Sequence, residues 1–116
     1  MKKHIGTLRN FSAKHVETAD YDLYTSDYAY GGTALVATTE GTGGQEVAFV
    51  ASVFIEGLVP EDENTIWLKG WSENEGIPEE LEGHEVIEFT GKTAQAGFAT
   101  AHEAIILDSE GWYKGE

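Results

Sequence analysis

Cysteine is absent from the 116-residue sequence, which excludes disulfides and thiolate metal sites. Long apolar runs are also missing, and the longest, such as Val47 to Ala51, are too short to cross a bilayer. The start, Met1 to Gly6, carries positive charge but no apolar region behind it, which argues against a secretory signal. The length suits one hydrophobic core. These features predict a single cytoplasmic domain over residues 1–116.

Basic residues are scarce. Seven Lys and Arg stand against 21 Asp and Glu, so the net charge is -14. This balance argues against direct binding of nucleic acid, which calls for clustered cations, and against anionic membrane surfaces. It favours attraction to a basic partner protein. The simpler alternative, that the acidity only maintains solubility, stays open.

Alternation of apolar and polar residues predicts an α+β fold with a mainly antiparallel sheet of five to six strands and one short helix. Glu46–Ile55 is apolar on both faces, which predicts a central strand. Short glycine-containing turns predict hairpins at 40–46 and 91–97. The other predicted strands begin near Asp20, Thr33, Thr65, Glu85 and Gly97.

The two ends give weaker patterns. Residues 1–18 form either an N-terminal arm or a first element, because Ile5, Leu8 and Phe11 have loose helical spacing that Gly6 interrupts. Residues 109–116 are predicted to be a polar tail.

The predicted helix lies within residues 72–83. Ser72 and Glu75 have the spacing of a capping box, and Pro78 suits a first helical turn. Ile77 and Leu81 are its expected core contacts, and Gly83 suits its end.

Motifs for catalysis or cofactor binding are not complete. Gly91-Lys92-Thr93 resembles the end of a phosphate-binding loop, but Val86 stands where the motif needs glycine. His84-Glu85 and His102-Glu103 belong to two late predicted strands, yet the members of each pair would point to opposite faces. We therefore expect no enzyme activity, no cofactor and no metal site.

The span Glu56 to Glu88 contains eleven acidic residues and one basic residue, Lys69, which gives a local balance of -10. Carboxylates spread along a surface can imitate a phosphate backbone, although a solvated helix face has the same composition. Two tryptophans adjoin the acidic residues, as core anchors or as exposed binding residues. The predicted partner-binding residues are Trp67, Trp71, Glu73, Glu75, Glu79, Glu80 and Glu82.

Several segments together resemble a family of small bacterial proteins of unknown function that are carried on phages, plasmids and other mobile elements. The resemblance covers roughly residues 20–107 and rests on Tyr21-Asp22-Leu23-Tyr24, Tyr30-Gly31-Gly32, the Trp67 to Gly76 segment, Thr90-Gly91-Lys92 and Gly97-Phe98. It implies a compact α+β domain and brings no catalytic residues. It also implies an accessory factor that blunts host defence.

The expected function is that of a non-enzymatic acidic protein that engages a basic or nucleic-acid-binding host protein in the bacterial cytoplasm, as a DNA mimic or anti-defence factor. One alternative is a protein that sequesters a nucleotide signal through Lys69, Lys92, His84 or His102. Another is a structural or assembly protein. The sequence leaves the oligomeric state open.

Overall fold

The computed structural model describes residues 3–41 and 43–107. Within them, the chain folds into two antiparallel sheets and one α-helix, which confirms the α+β class. The prediction of one sheet with five to six strands is wrong, because seven strands divide into a four-stranded and a three-stranded sheet. The predicted tail at 109–116 lies outside the described residues.

The first sheet has the strand order β1-β2-β3-β4. Its strands are β1 (Lys3–Ala13), β2 (Val16–Asp27), β3 (Thr33–Gly41) and β4 (Gly44–Val50). Within the uncertain residues 1–18, Lys3–Ala13 is thus a long strand and Val16 begins the next one. Leu8 and Phe11 of β1 are fully buried, and register shifts in the β1–β2 pairing set them on the core side despite their odd spacing. Because of these register shifts, the buried residues Leu8 and Phe11 are three positions apart, which is also the spacing expected in a helix.

The second sheet has the order β5-β7-β6, with β5 (Thr65–Leu68), β6 (Ile87–Ala96) and β7 (Ala99–Ile106). The hairpin predicted at 91–97 turns at Gly97 and Phe98 instead, since Ala96 pairs with Ala99. Gly91 has a φ of 95° and sits where the β6–β7 register shifts. Positive φ is easily adopted only by glycine, so Gly91 forms a bulge inside β6 rather than a turn.

The segment predicted as a central strand, Glu46–Ile55, is divided between the two sheets. β4 ends at Val50 and lies at the edge of the first sheet. The next residues join the two sheets: Ala51 N–H donates to the Leu35 carbonyl of β3 (2.8 Å), and Val53 N–H donates to the Trp67 carbonyl in the second sheet (2.9 Å). The run is apolar on both faces because it passes from one sheet to the other, so the prediction of a central strand is wrong.

A 3-10 helix, Ser72–Asn74, precedes the α-helix α1 (Ile77–Gly83). The helix falls inside the predicted range, but the capping box does not form. Gly76 is the N-cap of α1, Trp71 is the N-cap of the 3-10 helix, and neither end has a side-chain cap. Ile77 and Leu81 are fully buried, as predicted, and α1 packs against β1 and β6.

One core joins both sheets and the helix. It contains buried aromatic and aliphatic side chains from all of these elements, including Phe11, Leu23, Leu35, Phe49, Ile66, Leu68, Ile77, Leu81, Ile87 and Ala104. None of the helices in residues 3–41 and 43–107 has the length and hydropathy that a bilayer crossing requires.

Candidate partner-binding surface

The α1 helix has one buried and one acidic side. Ile77, Pro78 and Leu81 are buried, whereas Glu79, Glu80 and Glu82 are exposed. The helix is amphipathic, and its apolar side is already used by the core. Its three carboxylates form no ion pair within the described part of the chain. We call these three exposed carboxylates the α1 acidic surface (Glu79, Glu80 and Glu82).

Two of the other predicted carboxylates have partners within the protein. Glu73 Oε2 lies 2.8 Å from Lys69 Nζ, and Glu75 Oε1 lies 3.2 Å from Lys14 Nζ and 3.8 Å from His15 Nε2. The hydrogen bond from Lys69, followed by smaller backbone and charge contributions, lowers the pKa of Glu73 from its ordinary value of 4.5. These pairs are exposed, so each adds little to stability. They do reduce the charge that Glu73 and Glu75 offer to a partner.

Trp67 is a core residue rather than a surface contact. It is 7% exposed, and its Nε1–H donates to the Leu58 carbonyl at 2.8 Å. This hydrogen bond therefore links the second sheet to the loop before β5, which contains Glu61, Asp62 and Glu63. Of the two roles that the sequence left open for this tryptophan, the structure favours the core anchor.

Trp71 remains accessible. It is half-buried at the start of the 3-10 helix, and Lys69 Nζ lies 5.9 Å from its ring centroid. A lysine at this distance from an aromatic ring is attracted by its π system. Among the described residues, Trp71 is the predicted tryptophan that a partner can still reach.

The eleven acidic residues between Glu56 and Glu88 are all exposed. They separate into a loop group and a helix group. Four lie between Ile55 and β5, and the others lie on or beside the 3-10 helix, α1 and the start of β6.

The residues proposed for a nucleotide site do not share one pocket. Lys69 lines a groove beside β4, and Lys92 lines a different groove together with Trp67. His84 is the C-cap of α1, where its Nδ1 lies 3.1 Å from the Glu80 carbonyl oxygen and its ring lies 5.2 Å from that of Phe11. His84 therefore precedes β6 instead of lying in a late strand. His102 lies on β7 and contacts Phe89.

A polar cluster on the first sheet resembles catalytic groups but has a different geometry. Asp22 Oδ1 accepts a hydrogen bond from Thr7 Oγ1 at 2.8 Å and lies 3.3 Å from His4 Nε2, and Asp22 Oδ2 accepts from Gln45 Nε2 at 3.0 Å. The Thr7 hydroxyl donates to the carboxylate and not to the imidazole, so no nucleophile is paired with a base here. The cluster links strands β1, β2 and β4. Within residues 3–41 and 43–107, no three His, Asp or Glu side chains converge as metal ligands.

Sequence reasoning missed the groove beside β4, which has a volume of about 530 Å³. Its walls are β4 on one side and the segment from Lys69 to Asn74 on the other, with Val47, Val50 and Glu73 among the lining residues. The available signal was the glycine turn before Gln45, followed by the run that contains Val47 and Val50. That signal was assigned to a buried strand because the run is apolar on both faces.

No protein-family model matches this chain, and no curated protein or solved structure matches it at a significant level. The resemblance to proteins of mobile elements stays a prediction.

Proposed function

We propose that this protein is a non-enzymatic binding protein that engages a basic partner protein through the α1 acidic surface. The observation that carries the proposal is that Glu79, Glu80 and Glu82 are exposed on a short helix whose apolar side is buried, and have no ion pair in the described residues. These three carboxylates are therefore available to form ion pairs with Lys or Arg side chains of a partner. The net charge of -14 adds long-range attraction to the same kind of partner.

The setting follows from the resemblance to proteins of mobile elements. In the proposed setting, a phage or plasmid supplies the protein, and the partner is a nucleic-acid-binding host protein in the bacterial cytoplasm. Carboxylates on one exposed face would then take the place of phosphates in the partner's binding groove. Nucleic acid itself is repelled by this surface.

The nucleotide-binding alternative has less support. Its two lysines line separate grooves, and one of them is already paired with Glu73. An assembly role that depends on self-association is opposed by repulsion between copies of the same charge.

The test compares two triple variants with equal charge change. Glu79→Lys/Glu80→Lys/Glu82→Lys reverses the α1 acidic surface, and Glu61→Lys/Asp62→Lys/Glu63→Lys reverses three exposed carboxylates in the loop before β5. Each variant and the wild type are immobilised and exposed to a bacterial lysate, and retained proteins are quantified by mass spectrometry. Lysine in the first turn of a helix is mildly unfavourable. Thermal melting therefore serves as a control that each variant is folded.

We expect basic proteins retained by the wild type to be retained by the loop variant and lost by the α1 variant. Retention should also fall as salt is added, since exposed charges are screened. Equal retention by all three proteins, or retention that salt does not change, would contradict the proposal.

A further inference from the structure

Strand β4 has one side without a neighbouring strand in the described residues. It pairs with β3 along its length, and the sheet order places it at the edge. An edge strand presents main-chain N–H and C=O groups with which an added strand can pair. Val47 is 61% exposed and Val50 is 39% exposed, so the apolar side chains at this edge are uncovered as well.

A bulge gives β4 two chemically different faces. Phe49 pairs with Ala37 and Val47 with Thr38, so Ala48 is the additional residue between them. The bulge shifts the alternation, and Val47 and Val50 therefore share the face opposite to buried Phe49. Glu46, the neighbour of Val47, points to the same side as Phe49.

The groove beside β4 is lined by four consecutive residues of that strand, Val47 to Val50, and so adjoins the edge to which a strand could be added. Its acidic and basic lining residues are Glu73, Lys69 and His15; Lys69 is paired with Glu73, and His15 lies 3.8 Å from Glu75. Asn74 is 1% exposed, and its Nδ2 donates to the Val50 carbonyl at 2.7 Å. Because this hydrogen bond occupies the Val50 carbonyl, the part of the β4 edge that remains available for pairing is Gly44 to Phe49.

Charge decides between the occupants that this edge can accept. A second copy would pair β4 with β4, place two Glu46 side chains in one new strand pair, and bring together two chains of net charge -14. A basic segment removes that repulsion and meets Glu46, which has no ion pair in the described residues. The partner class is therefore a basic protein with an extended segment.

We propose that β4 and the adjoining groove receive an extended segment of the basic partner as an additional strand of the first sheet. The segment alternates apolar side chains, which lie beside Val47 and Val50, with Lys or Arg side chains, which lie beside Glu46. This assignment rests on the proposed function and deepens it, because it specifies how the partner is bound. In this arrangement the partner forms main-chain hydrogen bonds with β4, and the α1 acidic surface attracts its basic side chains.

The test uses a synthetic peptide of alternating lysine and valine, about ten residues long, the upper range of a typical strand. The peptide is added to the full-length, 15N-labelled protein. A control peptide has the same side chains, but alternate backbone nitrogens are methylated so that they cannot donate. Two protein variants with equal charge change are compared: Val47→Lys at the edge, and Phe98→Lys at the exposed β6–β7 turn, where the side chain is 109% exposed.

We expect the peptide to slow amide exchange in Gly44 to Phe49 and the methylated control to bind weakly. Val47→Lys should reduce affinity by at least about tenfold, because it places a charge where the valines of the peptide would pack and adds positive charge near a basic peptide, whereas Phe98→Lys should not. Peptide binding that Val47→Lys leaves unchanged, or amide changes confined to α1, would overturn the strand assignment. If sedimentation shows that β4 instead joins two copies of the protein, the assignment also fails.

The two proposals fail in different ways. Loss of peptide binding in the α1 variant but not in Val47→Lys would retain the proposed function and reject the added strand. Peptide binding that tolerates reversal of the α1 acidic surface but not Val47→Lys would retain the strand and reject α1 as the charged contact.

Discussion

At the scale of single residues, Ser52 joins groups that would otherwise be buried without partners. It is 4% exposed, and its Oγ accepts a hydrogen bond from the Leu35 N–H at 2.9 Å and lies 2.7 Å from the Tyr28 hydroxyl oxygen. It also sits in the bridge to Leu68. One small polar side chain thus connects β3, the Tyr28 turn and the second sheet.

Replacing Ser52 with Ala should lower the free energy of unfolding by about 1–3 kcal/mol, because the Leu35 N–H loses its buried partner. Urea denaturation monitored by tryptophan fluorescence measures the change. Ser72→Ala is the control, since Ser72 is exposed and caps no helix through its side chain. Equal stability of Ser52→Ala and the wild type would show that the hydroxyl is dispensable.

The ionisation of Tyr28 makes the free energy of unfolding depend on pH in the alkaline range. Burial raises its pKa above the ordinary value of 10.0, and the hydrogen bond with Ser52 opposes that shift. Burial, followed by the nearby Glu17 charge, also raises the pKa of Tyr21. A raised pKa means that the folded state favours the neutral phenol. Its contribution is fully present below the pKa of the unfolded chain and is lost as the pH rises through the raised value.

We therefore expect the free energy of unfolding to fall as the pH rises above about 10. Tyr28→Phe should be less stable at neutral pH, because it loses the Ser52 hydrogen bond, yet should show a shallower alkaline decline. Chemical denaturation at several pH values provides both slopes. Parallel declines in the two proteins would exclude Tyr28 as a source of the effect.

At the scale of elements, α1 depends on the backbone of the residue before it. Gly76 is the N-cap with a φ of 87°, in the left-handed region that side chains rarely adopt. This conformation turns the chain from the 3-10 helix into α1. No side chain caps either helix, and the expected Ser72–Glu75 capping box does not form. The start of α1 is therefore set by the backbone conformation of Gly76.

Gly76→Ala should destabilise the protein by about 1–2 kcal/mol, the cost of placing a side chain in left-handed backbone. Gly83→Ala is a matched control in the same helix. Gly83 lies within α1, and a β-carbon there would meet no atom within 4 Å. Alanine should be neutral or stabilising at that position. Thermal melting should show a lower melting temperature for Gly76→Ala and an unchanged or higher one for Gly83→Ala, and a similar decrease in both variants would contradict this account.

At the scale of the whole molecule, the net charge of -14 acts against the folded state through self-repulsion. Within the described residues the few ion pairs are exposed and do not compensate for it. Adding sodium chloride up to about 0.5 M should therefore raise the melting temperature, because the Debye length contracts below the spacing of surface charges. Calorimetry in a salt series measures this. A melting temperature that falls with salt would mean that attractive pairs dominate.

The sequence by itself determined the local features of this protein. Period-two alternation identified β2, β3 and the start of β6, and Pro78 at the start and Gly83 at the end identified the helix. These features depend on which side of an element is apolar, and a residue's neighbours in the chain carry that information. The carboxylates of α1 were found in the same way.

Only the tertiary structure decided how the elements meet. Periodicity shows that Glu46–Ile55 is apolar on two faces, but long-range pairing determines that β4 is an edge strand and that the next residues join a second sheet. The burial of Trp67 and the pairing of Glu73 with Lys69 likewise depend on how the chain returns to itself. Composition and alternation do not encode which residues become neighbours across space, because those contacts arise between segments that are distant in the chain.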